Sequence, residues 1–414
     1  MNREFFKNNR QKLSAGLPDA SITLLFAGTP VHRSADQNYE FTPNRNFYYM
    51  TGISKPHIIL MITKMGEKVE ETLFIQKADP VMEKWEGKTL DAEGAKSLSG
   101  VANIAYLDDF VTRIGRMNLI ADYKTVCLDM ERRSPTAPLT AALAFAKEVQ
   151  DKYPHLKIEN VYHNIDAMRR FKAEEEIADM RRAIEITNKG IQNMMKNARP
   201  GITENELEAH FDFTLKVEGA KEHAFHSIVA GGQNATILHY EDNNQVVEDG
   251  ALVLIDLGAA YGHYSADISR TFPINGKFTE RQKEVYNLVL QAELEVIKNI
   301  KPGVPAARLN EIAKEVLAAG CKKLGLITED SELINFYYHG VSHYLGLDTH
   351  DVGAFREETL QPGMVVTVEP GLYIEGEAIG IRIEDDVLVT EDGCEVLSKD
   401  IIKTVEEIEA FMAK

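Results

Sequence analysis

Leu252-Val253-Leu254-Ile255-Asp256-Leu257-Gly258 is an apolar run that ends in a carboxylate and a glycine, and Asp267-Ile268-Ser269-Arg270-Thr271 follows with a second carboxylate at its head. The same pattern returns over Val365-Val366-Thr367-Val368-Glu369, with Gly371 close behind, and then Ile381-Arg382-Ile383-Glu384. Short runs rich in Val, Ile and Leu, bounded by glycine, read as buried strands. Each pair reads as a strand and its returning partner, with carboxylates at or beside the inner ends. Two such strand pairs flanked by helices point to an α+β domain with a pseudo-two-fold axis.

The helices lie on either side. Residues 172–196 carry Ile177, Met180, Ile184, Ile191 and Met194 or Met195 at helical spacing, and Arg199-Pro200-Gly201 stops the run. Thr203-Glu204-Asn205-Glu206 has the form of a capping box for a second helix. A similar box, Thr279 with Gln282, opens a third that ends at Lys301-Pro302-Gly303, and a fourth covers 306–324. Upstream the texture differs. Ile58-Ile59-Leu60-Met61-Ile62 and Glu71-Thr72-Leu73-Phe74-Ile75 read as buried strands around a turn at 64–68, and 139–149 reads as a helix behind Pro138. This is an α/β pattern with a mixed sheet. The texture changes between about 155 and 172, which separates a first domain, 1–160, from a second, 161–414.

With 46 basic and 64 acidic residues the net charge is -18. Nucleic acid and anionic membrane surfaces are therefore excluded as partners, since each carries the same sign. No apolar run approaches the ~18 residues of a membrane span. The polar N-terminus lacks the form of a signal peptide. Three separated cysteines, Cys127, Cys321 and Cys394, fit a reducing cytoplasm.

One carboxylate at the end of an apolar strand is usually a turn residue. Four of them, Asp256, Asp267, Glu369 and Glu384, beside buried strands are another matter, because an unpaired buried charge costs several kcal/mol. Like charges gather in an interior when cations neutralise them. A pair of metal ions does so. The segment 338–351 supplies His339, His343 and His350 around Gly340 and Gly346, more histidine than core packing asks for. An oxygen-rich donor set with one histidine favours hard or borderline ions such as manganese. His239, in Ile237-Leu238-His239-Tyr240, is by itself as readily structural as functional.

These stretches, with Leu238-His239-Tyr240, Val368-Glu369-Pro370-Gly371-Leu372-Tyr373 and Arg382-Ile383-Glu384-Asp385-Asp386, resemble the signature of aminopeptidase P. This is the Xaa-Pro aminopeptidase branch of the pita-bread metallopeptidases. Phe47-Tyr48-Tyr49-Met50-Thr51-Gly52 and Trp85-Glu86-Gly87 are similar to motifs of its N-terminal domain. The resemblance implies an α/β creatinase-like N-terminal domain followed by an α+β pita-bread (creatinase/aminopeptidase) catalytic domain. It implies cleavage before a penultimate proline by two divalent ions, with manganese favoured, in a homodimer or homotetramer. Prolidase, which cuts only Xaa-Pro dipeptides, is the neighbouring alternative; a metal-free pita-bread binding module is a more distant one.

By the same resemblance Asp256 binds one ion, His343 and Glu369 the other, and Asp267 and Glu384 bridge them. Glu369 is the general base. His239 and His350 steady the scissile carbonyl and its oxyanion, and His339 lines the proline pocket. Arg382 and Tyr373 organise the Asp256 side, a role that strand parity supports for Arg382, since 382 and 384 share a face. Asn46 departs from the family's pattern, which often has a carboxylate there.

Overall fold

The computed structural model describes residues 1–132 and 134–413, the side chains at 117, 118 and 120 excepted. It divides into two compact units, Met1–Met168 and Arg169–Lys414.

The first unit is built on a six-stranded mixed sheet. At its centre Ser21–Phe26 runs antiparallel to Ile59–Met65 and parallel to Thr125–Leu128. Lys68–Ile75 and Asn103–Tyr106 extend one side, and Lys157–Asn160 closes the other. The 59–75 hairpin turns at Gly66, whose φ of 58° lies in the left-handed region that glycine enters without cost. Alternate residues Ile22 and Leu24, with Met61, Phe74, Val126 and Leu128, bury one face against Ala142, Ala146 and Val149. Those three belong to the helix Ala141–Lys152, capped by Thr140, whose hydroxyl accepts from the Leu143 N–H.

The second unit packs two helix pairs around small sheets. Glu174–Asn197 and Glu204–Val217 form one pair, Glu280–Lys298 and Ala306–Lys323 the other. The capping box expected at Thr279 forms, with reciprocal bonds to Gln282. The box expected at Thr203 does not. Its hydroxyl bonds Asn205 Oδ1 and Glu206 pairs with Arg199, while Glu204 turns into the interior.

Leu252–Leu257 pairs antiparallel with Ile268–Pro273, as the first strand pair suggests, and Ile228–Gly231 lies on its other edge. The second pair divides differently from the sequence reading. Val365–Val368 pairs with Asp385–Val389, whereas Ile379–Arg382 returns along Gly371–Ile374. Glu384 therefore stands at a break between two strands and not within one. Its N–H donates to Ser269 O at 3.1 Å, where the backbone changes partner. Below this layer Val296, Leu309, Ala313, Leu360, Val366, Val368 and Val387 form one apolar cluster. Among the described residues no helix is long and apolar enough to cross a membrane.

Candidate metal centre

The end of the Leu252–Leu257 strand carries Asp256, opposite Ser269 in the register. Two residues before Ser269, Asp267 leads the returning strand and is buried. The approach is close because of Gly258: a Cβ there would lie 1.8 Å from the Ala266 carbonyl oxygen. The histidine-bearing segment comes to the same place by backbone pairing. Leu345 N–H donates to Val365 O at 3.1 Å, Thr367 N–H to His343 O at 3.0 Å, and Glu369 N–H to Val341 O at 2.9 Å. Residues 341–345 thus run along 365–369 as an extra antiparallel edge, which sets His343 beside Glu369.

Ligand atoms of Asp267, His343 and Glu384 lie within 4.8 Å of one another. His343 Nε2 is 3.4 Å from Asp267 Oδ2 and 3.6 Å from Glu369 Oε1. Its Nδ1 is 2.9 Å from the Tyr344 carbonyl, which can only accept, so Nδ1 carries a proton and Nε2 is the atom that faces the carboxylates. Asp256 Oδ2 accepts from Arg382 at 2.6 Å, while its Oδ1 is buried with no hydrogen-bond partner.

The electrostatics state the same need. Burial pushes the Asp267 carboxyl up to about 6, partly opposed by His343. Burial likewise raises Glu369 to about 7, with His343 and Arg382 opposing. Glu384 lies well above the usual carboxylate range through burial and then the charges of Asp267, Glu369 and Asp256. His343 is disfavoured as a cation by burial, yet Asp267 and Glu369 prevail and lift it to about 9. A buried carboxylate cluster without cations draws protons in their place. An orphaned Asp256 oxygen, an imidazole Nε2 whose proton a cation would replace, and converging carboxylates fit divalent cations.

Around this centre Arg382 reaches three groups: Asp256, Ser269 Oγ at 2.8 Å and Tyr373 Oη at 3.0 Å. Tyr373 and His339 Nε2 are 2.9 Å apart, and His339 Nδ1 lies 2.7 Å from Gly340 O. Nδ1 is thus the donor, and Nε2 accepts from the tyrosine hydroxyl. Burial holds His339 down to about 4, so it is neutral at physiological pH. His350 is exposed, with its ring centroid 4.4 Å from that of His343 at 70°. His239 is exposed too, on the turn after Gly232–Thr236. Asn46 is buried in the first unit, where its amide donates to Asp129 at 3.0 Å.

Three supporting residues escaped the sequence reading. Ser269 also donates to Glu384 Oε2 at 2.8 Å, and its parity with Asp267 was the available signal. Asp386 is buried, accepts from the Asp267 N–H at 3.2 Å, and stands two residues from Glu384. Asp351, next to His350, is held between Arg169 at 2.6 Å and Lys172 at 3.0 Å, all three side chains almost fully buried. The partners of Asp351 lie 179 and 182 positions away in the chain, beyond any local pattern.

Comparison with known proteins agrees with this geometry. Residues 178–391 match the model of metallopeptidase family M24, and residues 6–126 that of the aminopeptidase P N-terminal domain. The chain is 36% identical to the Xaa-Pro aminopeptidase of Escherichia coli (strain K12), covering 100% of this chain and 98% of that protein. The Xaa-Pro aminopeptidase of Haemophilus influenzae is 34% identical, covering 99% and 97%. Among solved structures, a Bacillus anthracis protein assigned provisionally as an aminopeptidase P superposes with a TM-score of 0.98 at 56% identity, covering 100% and 98%. Aminopeptidase P from E. coli, with the inhibitor Pro-Leu, gives 0.91 at 35% identity with the same coverage. The match to the family model covers more than half the chain and contains all five carboxylate and histidine positions of the centre. With its aminopeptidase P N-terminal domain and its pita-bread catalytic domain, this hydrolytic chain belongs to metallopeptidase family M24.

Proposed function

We propose that the chain removes an N-terminal residue from peptides whose second residue is proline, using two divalent ions, with manganese as the native metal. The convergence of Asp267, His343 and Glu384 within 4.8 Å is the observation that carries the metal-dependent reading. The names of the full-length relatives support the Xaa-Pro specificity. Asp256, Asp267, His343, Glu369 and Glu384 would hold the ions, which supply Lewis acidity that activates water and polarises a carbonyl at neutral pH.

The protein's own groups divide the remaining work. Glu369, raised into the neutral range by burial, accepts the proton of the attacking water and passes it towards the leaving proline nitrogen. His239 and His350 donate to the carbonyl as negative charge grows on it. His339 is kept neutral and fixed by Tyr373, which suits it to line an apolar proline pocket. Arg382 neutralises one oxygen of Asp256 and leaves the other for a cation. The oxygen-rich donor set supports manganese. The free thiols of Cys127, Cys321 and Cys394 support a reducing cytoplasm as the place of action. We also assign a homodimer or homotetramer.

The test is a comparison of an Xaa-Pro-Yaa tripeptide with the matching Xaa-Pro dipeptide, with manganese added. Release of the first residue from the tripeptide, abolished by a chelator and restored by metal, is the expected result. Cleavage of the dipeptide alone would make the chain a prolidase. Activity untouched by chelation would remove the metal reading.

A further inference from the structure

We propose that Glu204 is a positioning residue that sets His239 by holding the loop that carries it. The inference rests on the reading of His239 as a group that acts on the scissile carbonyl. Glu204 opens the Glu204–Val217 helix and is fully buried. Four neutral donors converge on its two oxygens. Oε1 accepts from the Gly231 N–H at 2.7 Å and the Asn234 amide at 2.9 Å, and Oε2 accepts from Tyr240 Oη at 2.8 Å and the Gln245 N–H at 2.9 Å. These donors bracket His239 on both sides in the chain, and Tyr240 is its immediate neighbour. The same tyrosine packs with Leu254 and Tyr373, residues next to the metal centre.

The four loop contacts together need a carboxylate, since each of the two oxygens accepts two of them. An ionised carboxylate accepts four hydrogen bonds, whereas a glutamine would turn its own N–H groups towards two of the donors. None of the four donors is one of the five groups assigned to the ions. His239 itself is exposed, so the direction of its ring depends on the backbone on either side of it.

The experiment measures kcat, KM, bound metal and Tm for Glu204→Gln and Tyr240→Phe, each in the wild-type and in the His239→Ala background, on an Xaa-Pro-Yaa peptide with manganese. Glu204→Gln is expected to lower kcat by about 10-fold at unchanged metal content, and by less than about 2-fold once His239 is alanine. Tyr240→Phe removes one donor and keeps the packing, so it serves where Glu204→Gln fails to fold. Its loss, about 3-fold, should show the same dependence on His239. Equal losses in both backgrounds would make Glu204 an ordinary stabilising residue and overturn the proposal, as would wild-type kcat in both variants. His239→Ala at full turnover would instead sink the reading of His239, and this proposal with it.

Discussion

At the scale of single residues, the centre is a set of acids that burial makes reluctant to ionise. Asp267 at about 6 and Glu369 at about 7 are raised, so in the metal-free protein their stabilising contribution is present at low pH and is lost as pH rises through those values. His343, raised to about 9, follows the same sign and loses its contribution above that pH. Metal binding needs these groups deprotonated and so strengthens with pH. The gap in Tm between metal-loaded and chelated protein should therefore widen from about pH 5 to about pH 8. Scanning calorimetry with and without chelator measures it, and a gap that narrows over that range would contradict the assignment. His350 belongs to another class. Its ring lies against that of His343, outside the converging donor set of Asp267, His343 and Glu384. One donor to a developing oxyanion is worth ~3 kcal/mol, so His350→Ala should lower kcat by ~100-fold with two metal equivalents retained. Loss of one equivalent would instead make His350 a ligand; a lower Tm with unchanged turnover would make it a packing residue.

At the scale of elements, the centre depends on how closely strand ends approach. Gly258 lets the end of the Asp256 strand lie against Ala266, next to Asp267, with no room for a methyl group. The obstacle is backbone, which cannot rotate away as a side chain can. Gly258→Ala should separate the two carboxylates, lower Tm by several degrees and weaken metal binding, on the ~1–3 kcal/mol scale of overpacking. Isothermal titration with manganese checks it, and wild-type affinity would show that the two strand ends are not coupled. The elements themselves were legible to different degrees. Thr279 and Gln282 formed their box because both partners lie within one turn. Thr203 kept its place as the cap residue but not its expected bonds, because its hydroxyl donates to Asn205 and Arg199 holds Glu206. The second strand pair was misjudged for a related reason. Apolar alternation marks Ile379–Arg382 and Asp385–Val389 as strands equally well, and only their packing decides that one joins Gly371–Ile374 and the other Val365–Val368.

At the scale of the molecule, all five positions assigned to the ions fall within Arg169–Lys414. A chain reduced to residues 169–414 should, if it remains in solution, bind about two manganese equivalents, as a dinuclear site requires. A folded product that binds none would show that Met1–Met168 supplies ligands. The sequence by itself determined the four long helices of the second region, its first strand pair, the α/β and α+β character of the two regions, and the oxygen-rich set with its histidine segment. Those properties are written in periods of two and 3.6 residues and in the types of side chain present. What only the tertiary structure decided is who meets whom: the extra edge made by residues 341–345, the break at Glu384, and Arg382 on one oxygen of Asp256. The clamp of Arg169 and Lys172 on Asp351 and the four donors on Glu204 belong with them. The reason is physical. A buried charge must be satisfied by whatever group the fold brings within about 3 Å, and a partner beyond the next few turns of the chain leaves no trace in local periodicity.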